Sequence, residues 1–179
     1  MQIIVKAGEK PRCTGISWGH FSMKSDLNED LGTSSLGSCF AFIVLDTQRD
    51  QVFFAHVASD AETKWIIQHL LKPPTDVAER GTWQPGYYAF TGKQPQETTE
   101  KRIKRIDSYL GSGLLKRGNA TTGAVILEGS NWRDNPTFYF VKDIDALNPE
   151  NYKERAKAGM RNFFGGMLPM PGSDFISEI

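Results

Sequence analysis

Cys39 and His56 are the two side chains whose types and spacing could do covalent chemistry together. Cys39 follows a Leu36-Gly37-Ser38 turn and heads an apolar run; His56 sits in a second apolar run seventeen residues later. The polar stretch between the runs, Asp46-Thr47-Gln48-Arg49-Asp50, reads as a hairpin turn. A two-residue loop at Thr47-Gln48 sets Cys39 directly opposite His56, where Cβ atoms lie about 4.5–5.5 Å apart. A three-residue loop pairs Cys39 with Val57 instead, and the opposition then requires a bulge. The chemistry of such a pair is nucleophilic. A free thiol is only slightly ionised near neutral pH, and an adjacent imidazole shifts it toward a thiolate–imidazolium pair. The thiolate attacks an acyl carbon, the imidazolium protonates the leaving group, and the neutral imidazole then activates water.

Two further parts are required. The Gly37-Ser38 turn presents backbone N–H groups, together with that of Cys39, toward a developing oxyanion, and glycine lets backbone approach a substrate closely. A polar group must also orient the imidazole. Thr33 lies six residues before Cys39, and Ser34 and Ser35 are equally polar, so position alone does not choose among the three. Each residue also has a plainer reading, Cys39 as a buried small hydrophobe and His56 as a core histidine satisfied by backbone. Cys13, His20, Cys39 and His56 contain no close Cys-x-x-Cys or His-x-x-x-His pair, so zinc is a poor reading. Cys13 reads as a spectator thiol, His20 as a residue that could line a cleft, and His69 as an ordinary helix residue.

Thr33-x-x-Leu36-Gly37-Ser38-Cys39, followed by an apolar strand, a polar turn and Ala55-His56, resembles the chemoreceptor glutamine deamidase family, CheD. In that family a threonine six before the cysteine and a histidine seventeen after it complete the site, and both intervals occur here. The resemblance implies Cys39 as nucleophile, His56 as base and Thr33 as the orienting partner of the histidine. It also implies a protein substrate carrying an accessible glutamine, in a chemotaxis setting or, by the similar Cys–His arrangement of cytotoxic necrotising factor-type toxins, in that of a bacterial effector. The close match covers about a sixth of the chain. A weaker echo runs through Tyr88-Ala89-Phe90-Thr91-Gly92, where the family has a strand ending in glycines before a helix. The chain departs from the family at Val52-Phe53-Phe54, where Gly-Gly is usual, and at Val57-Ala58-Ser59-Asp60, where a Met-Leu-Pro type sequence is common.

The elements that must position these residues alternate between strand and helix. Gln2–Lys6 reads as a short strand, and Gly8–Gly32 is rich in turn residues. Phe40–Leu45 and Val52–Val57 are near-continuous apolar runs, the mark of strands buried on both faces. Ser59 with Glu62 makes a capping box, and Trp65, Ile66 and Leu70 continue a helical stripe that Pro73-Pro74 ends. Tyr87–Thr91 is a strand stopping at Gly92. Glu97–Leu110 is a helix with Ile103, Ile106 and Leu110 on one face and Gly111 as its stop. Lys101, Arg102, Lys104 and Arg105 on that helix read as a solvated face. Gly123–Leu127 and Thr137–Val141 are strands, and Asn148-Pro149 opens a third helix toward Gly165-Gly166. The tail, 167–179, reads as irregular. The fold class is α/β: a layered sandwich with a mixed, largely antiparallel sheet and flanking helices, CheD-like by the resemblance, in a single catalytic domain over 1–179.

The whole-chain properties narrow the partners. With Lys+Arg and Asp+Glu both 21, the formal charge of this 179-residue chain is zero, which argues against a dedicated nucleic-acid or membrane-surface binder. No apolar run approaches the roughly 20 residues of a membrane span. The N-terminus, MQIIVKAGEKPR, has no basic segment followed by an apolar one, so the expected location is cytoplasmic; a chain exported by another route would look the same. The expectation is a cysteine-dependent amidohydrolase with no cofactor and no metal, acting on a protein and open to a regulatory protein partner. Ester hydrolysis and transamidation pass through the same thioester. A non-catalytic adaptor of the same fold and a thiol peptidase are the other readings.

Overall fold

The structure, a computed structural model, describes residues 2–6, 13–16, 19–24, 27, 30–34, 36–72, 83–111, 113–120, 123–141 and 167–169. The helix expected after Asn148 lies outside them, as does 170–179 of the tail. The longest apolar runs make the two central strands, β5 (Phe40–Asp46) and β6 (Gln51–Val57), joined by the turn Thr47–Asp50. The Asp46 carboxylate accepts from the Arg49 N–H at 3.0 Å, an Asx-type turn, and Asp50 takes the left-handed conformation at φ 54°. Around this pair stand β3 (His20–Lys24), β7 (Gly86–Thr91), β8 (Leu115–Asn119) and β11 (Met167–Pro169), giving a six-stranded sheet in the order β11-β3-β6-β5-β7-β8. All neighbours are antiparallel except β7 and β8.

A second sheet of five strands runs β1-β10-β9-β4-β2, built from β1 (Gln2–Lys6), β2 (Cys13–Gly15), β4 (Asp30–Thr33), β9 (Val125–Leu127) and β10 (Thr137–Val141). It too is mixed, with β1 parallel to β10 and β2 parallel to β4. Two strands, β2 and β3, fall within the segment Gly8–Gly32 and a third, β4, begins in it, and the first residues of the tail form β11. These strands are three to five residues long and too short to show an alternation against their turn-rich surroundings.

Because strand side chains alternate, β5 and β6 serve two cores at once. Ala41, Ile43 and Leu45 with Val52 and Phe54 face the second sheet, where they meet Leu31, Val125, Leu127, Trp132 and Phe138. Phe90 and Tyr88 of β7 pack on Phe138 across that interface, with ring centroids 4.8 and 4.9 Å apart. Phe40, Phe42 and Val44 with Phe53, Ala55 and Val57 face the helices. The result is three layers, sheet on sheet on helix, and the expected α/β layered fold therefore contains two mixed sheets rather than one.

Among the described residues, two helices lie on the outer face of the six-stranded sheet. α1 (Asp60–Trp65) begins with the expected capping box: the Ser59 hydroxyl accepts from the Glu62 N–H at 3.2 Å and the Glu62 carboxylate accepts from the Ser59 N–H at 3.0 Å. It continues as a π-helical turn over Ile66–Leu70, which brings Ile66 into the core and packs Ile67 and Leu70 at its margin. α2 (Glu97–Leu110) has the predicted bounds, with Thr99, Ile103 and Ile106 buried, and stops at Gly111, whose φ of 97° suits a residue without Cβ. No helix among the described residues is long and apolar enough to cross a membrane.

Candidate functional site

Thr33 and His56 come from different sheets. Thr33 ends β4, paired with Val125 of β9, and is fully buried; His56 sits near the end of β6, on the side that faces the second sheet, and is fully buried too. Their contact is short: Thr33 Oγ1 lies 2.6 Å from His56 Nδ1 and 2.7 Å from the Ile16 carbonyl oxygen. The carbonyl can only accept, so the single hydroxyl proton of Thr33 goes to Ile16, and the oxygen is left to accept from Nδ1–H. That assigns the neutral ring its proton at Nδ1 and its lone pair at Nε2, the tautomer in which Nε2 can act as a base. Ile16 is held in turn by its N–H donating to the Gly32 carbonyl at 2.8 Å, and Gly19 N–H donates to the His56 carbonyl at 3.0 Å. Of the three polar residues open in the sequence, Thr33 is hydrogen-bonded to the ring; Ser34 is buried next to it in the chain, and Ser35 lies outside the described residues.

The expected direct opposition of Cys39 and His56 does not occur. Ala41 pairs with His56, and Phe40 with Val57. The turn is four residues long rather than two, so the pairing is displaced by two positions and Cys39 stands one residue outside β5. A displacement of two keeps every side chain on its face. Cys39 itself lies beyond the strand pairing, two positions before the residue that stands opposite His56.

The turn that carries the thiol is fixed from three directions. Leu36 N–H donates to the Gly123 carbonyl at 3.2 Å, Gly92 N–H donates to the Leu36 carbonyl at 3.1 Å, and Thr99 in the first turn of α2 donates to the Ser38 carbonyl at 2.6 Å. Gly92 is required by the closeness of that approach, since a Cβ there would stand 2.6 Å from the Leu36 oxygen. Gly37 by contrast is exposed, with open space where its side chain would be, so backbone at the head of the turn is accessible. Ser38 is half-buried, its hydroxyl 3.7 Å from Cys39 Sγ.

Cys39 itself is only 2% exposed. Burial pushes its thiol pKa up; the Ser38 hydroxyl opposes this, the Glu62 carboxylate adds to it and the Arg102 guanidinium opposes it. Glu62 is buried and its own pKa is raised by burial, against the Ala58 and Ser59 N–H groups that its carboxylate accepts from at 2.6 and 3.0 Å. Arg102 is largely covered and bridges the helices, its Nε 2.9 Å from Asp60 Oδ1. The solvated face expected on α2 holds for Lys101, Lys104 and Arg105 but not for Arg102. Sequence reasoning missed that Arg102 and Glu62 bear on the ionisation of the thiol. The capping box placed Glu62 on its helix, but nothing local signals that two helix starts converge on one loop.

The remaining candidates are less informative. Cys13 lies in β2 and His20 begins β3, whose next residue pairs with Ala55, but both side chains are outside the described set. His69 is exposed on the π-helical turn, its ring 5.7 Å from that of Trp65. A groove of about 790 Å³, lined by Trp83, Tyr87, Tyr109, Leu110, Leu114 and Lys116 among others, opens at the Gly86 end of β7, away from Cys39. In comparisons by sequence, no family model and no curated protein matches this chain.

Proposed function

We propose that this protein is a cysteine-dependent amidohydrolase that converts protein-bound glutamine to glutamate, with Cys39 as nucleophile, His56 as base and Thr33 as the group that orients it. The observation that carries the reading is the hydrogen bond from His56 Nδ1–H to Thr33 Oγ1, which leaves Nε2 as the basic nitrogen on the strand paired with the one that Cys39 precedes. A core histidine satisfied by backbone would not need a threonine held from behind by a second carbonyl.

Nε2 takes the thiol proton as sulfur adds to the side-chain amide carbon. A buried thiol with a raised pKa carries little standing thiolate, so this transfer accompanies attack rather than preceding it. The tetrahedral oxyanion is met by backbone N–H groups of the Gly37–Cys39 turn. The imidazolium returns its proton to the departing nitrogen and ammonia leaves. Water, deprotonated by Nε2, then hydrolyses the γ-glutamyl thioester, releasing glutamate and restoring the thiol. The substrate's place in chemotaxis or in a host cell belongs to the same proposal, on the residues of the resemblance.

The test is mass spectrometry of candidate partner proteins incubated with wild type and with Cys39→Ser. A gain of about 1 Da per modified glutamine, the exchange of NH₂ for OH, is expected with wild type alone. Equal modification by Cys39→Ser would overturn the mechanism. One observation favours the non-catalytic adaptor instead: the thiol is buried and its pKa is raised. The adaptor reading predicts iodoacetamide labelling of Cys39 no faster than that of Cys13, and no mass gain in any partner.

A further inference from the structure

Thr99 is fully buried in the first turn of α2, yet its hydroxyl proton leaves the helix: it goes to the Ser38 carbonyl, sixty-one residues away in sequence, at 2.6 Å. Thr63 in α1 shows the local alternative, donating to the Ser59 carbonyl four residues back at 2.9 Å. A buried helical threonine can thus be satisfied without touching any loop. Threonine is also stiff at χ1, which makes its hydroxyl a firm anchor. The bond matters because of what shares a plane with that carbonyl. The Ser38–Cys39 peptide is trans and planar, so its C=O and the Cys39 N–H point in opposite directions. Fixing the carbonyl on Thr99 turns the Cys39 N–H away from α2. The peptide before Gly37 is held in the same manner: the Leu36 carbonyl accepts from the Gly92 N–H at 3.1 Å, which turns the Gly37 N–H the other way. Two anchors therefore grip the turn by its carbonyls and set the directions of the N–H groups on either side of Ser38.

We propose that Thr99 is a positioning residue for acyl transfer at Cys39: by holding the Ser38 carbonyl against α2 it stops the Ser38–Cys39 peptide from flipping, and so keeps the Cys39 N–H aimed at the oxygen of the acyl group that the sulfur attacks. This rests on the amidohydrolase reading for its purpose, but not for its test. As the sulfur lone pair forms the S–C bond, the carbonyl π pair moves onto oxygen, and the Cys39 N–H donates to that charge. The pair returns to the carbonyl as the leaving group departs with a proton from His56. A donor fixed beforehand costs no reorganisation at that moment. A flipped peptide would instead present the Ser38 oxygen to the developing charge and repel it.

The experiment compares two reagents on Cys39, in the full-length chain with Cys13→Ser so that one thiol reports, and reads both by intact mass. p-Nitrophenyl acetate acetylates the thiol through a tetrahedral oxyanion and releases p-nitrophenolate. Iodoacetamide alkylates it by displacing iodide, with no oxyanion. The ratio of the two rates is expected to be higher in the folded chain than in the same chain unfolded in urea. Thr99→Val is expected to slow acetylation by roughly tenfold, less than the about 10²–10³ lost when an oxyanion donor is removed outright, and to leave alkylation where it was. Thr99→Ser, which keeps the hydroxyl, is expected to restore acetylation. An equal fall in both rates makes Thr99 a prop for the loop alone and overturns the assignment, as does an unmoved ratio. A folded ratio no higher than the unfolded one overturns it without any variant, so the test survives a Thr99→Val chain that does not fold. Should the ratios run as expected while the unsubstituted protein deamidates no glutamine, the amidohydrolase reading fails and the role of Thr99 stands. Should deamidation proceed with the ratio unmoved in Thr99→Val, the reverse holds.

Discussion

Thr33 does two jobs with one oxygen, and that makes it the most informative residue to alter. Thr33→Val keeps the shape and removes the hydroxyl from its bonds with Ile16 and His56. The expected cost is about 1–3 kcal/mol of stability, measured by urea unfolding. Deamidation is expected to fall by roughly 10²-fold, the lower end of what acid–base catalysis contributes. Thr33→Ser keeps the hydroxyl and is expected to recover most of both. Glu62 has a pH consequence of its own. Its folded pKa is raised, so the folded state holds its proton to higher pH than the unfolded chain does. Its contribution to stability is then full below the ordinary glutamate range near 4.5 and is lost as pH rises through the folded value. Comparing wild type with Glu62→Gln in unfolding titrations from about pH 4 to pH 7 checks this: the difference between the two should shift in favour of the Gln variant as pH rises.

At the scale of elements, the site depends on contacts that hold a loop against two sheets and a helix. Gly92→Ala would force a Cβ to 2.6 Å from the Leu36 carbonyl oxygen, a clash with backbone that neither side can rotate away. A loss of about 1–3 kcal/mol is expected, with displacement of the Leu36–Cys39 turn and loss of activity out of proportion to the fraction unfolded. Measuring activity well below the unfolding midpoint separates the two effects. The neighbouring capping box is a control: Ser59→Ala should cost about 1 kcal/mol.

The whole molecule is a shared-core design in which β5 and β6 are covered by a sheet on one face and by helices on the other. His56 inherits its burial from the sheet-facing side, so activity and global stability should be coupled through that interface. Phe138→Ala, which removes the ring that both Tyr88 and Phe90 pack against, is expected to cost about 3–5 kcal/mol. Ser22 in β3 sits on the same side, fully buried, and its hydroxyl has no hydrogen-bond partner among the described residues. Ser22→Ala is therefore expected to be neutral or to stabilise by up to about 1 kcal/mol, a result that thermal unfolding reads directly.

What could be read from the chain alone was whatever is written locally. The apolar runs of β5 and β6, the Ser59/Glu62 box and the bounds of α2 at Glu97 and Leu110 follow from periodicity and capping, which depend on neighbours a few residues away. The hairpin of β5 and β6 was legible for the same reason, since only a short polar turn separates the two runs. The register was not. Both strands are apolar on both faces, so no alternation of polar and apolar residues pins their alignment, and the turn lacks the Asn-Gly signal that sets a short loop. Tertiary structure alone decided that Ala41 rather than Cys39 stands opposite His56. It also decided that a second sheet delivers Thr33 to the ring, and that Thr99 of α2, some sixty residues on, donates to the Ser38 carbonyl next to the thiol. Those arrangements come from packing two layers on one sheet, and packing joins residues according to shape and burial rather than their order along the chain.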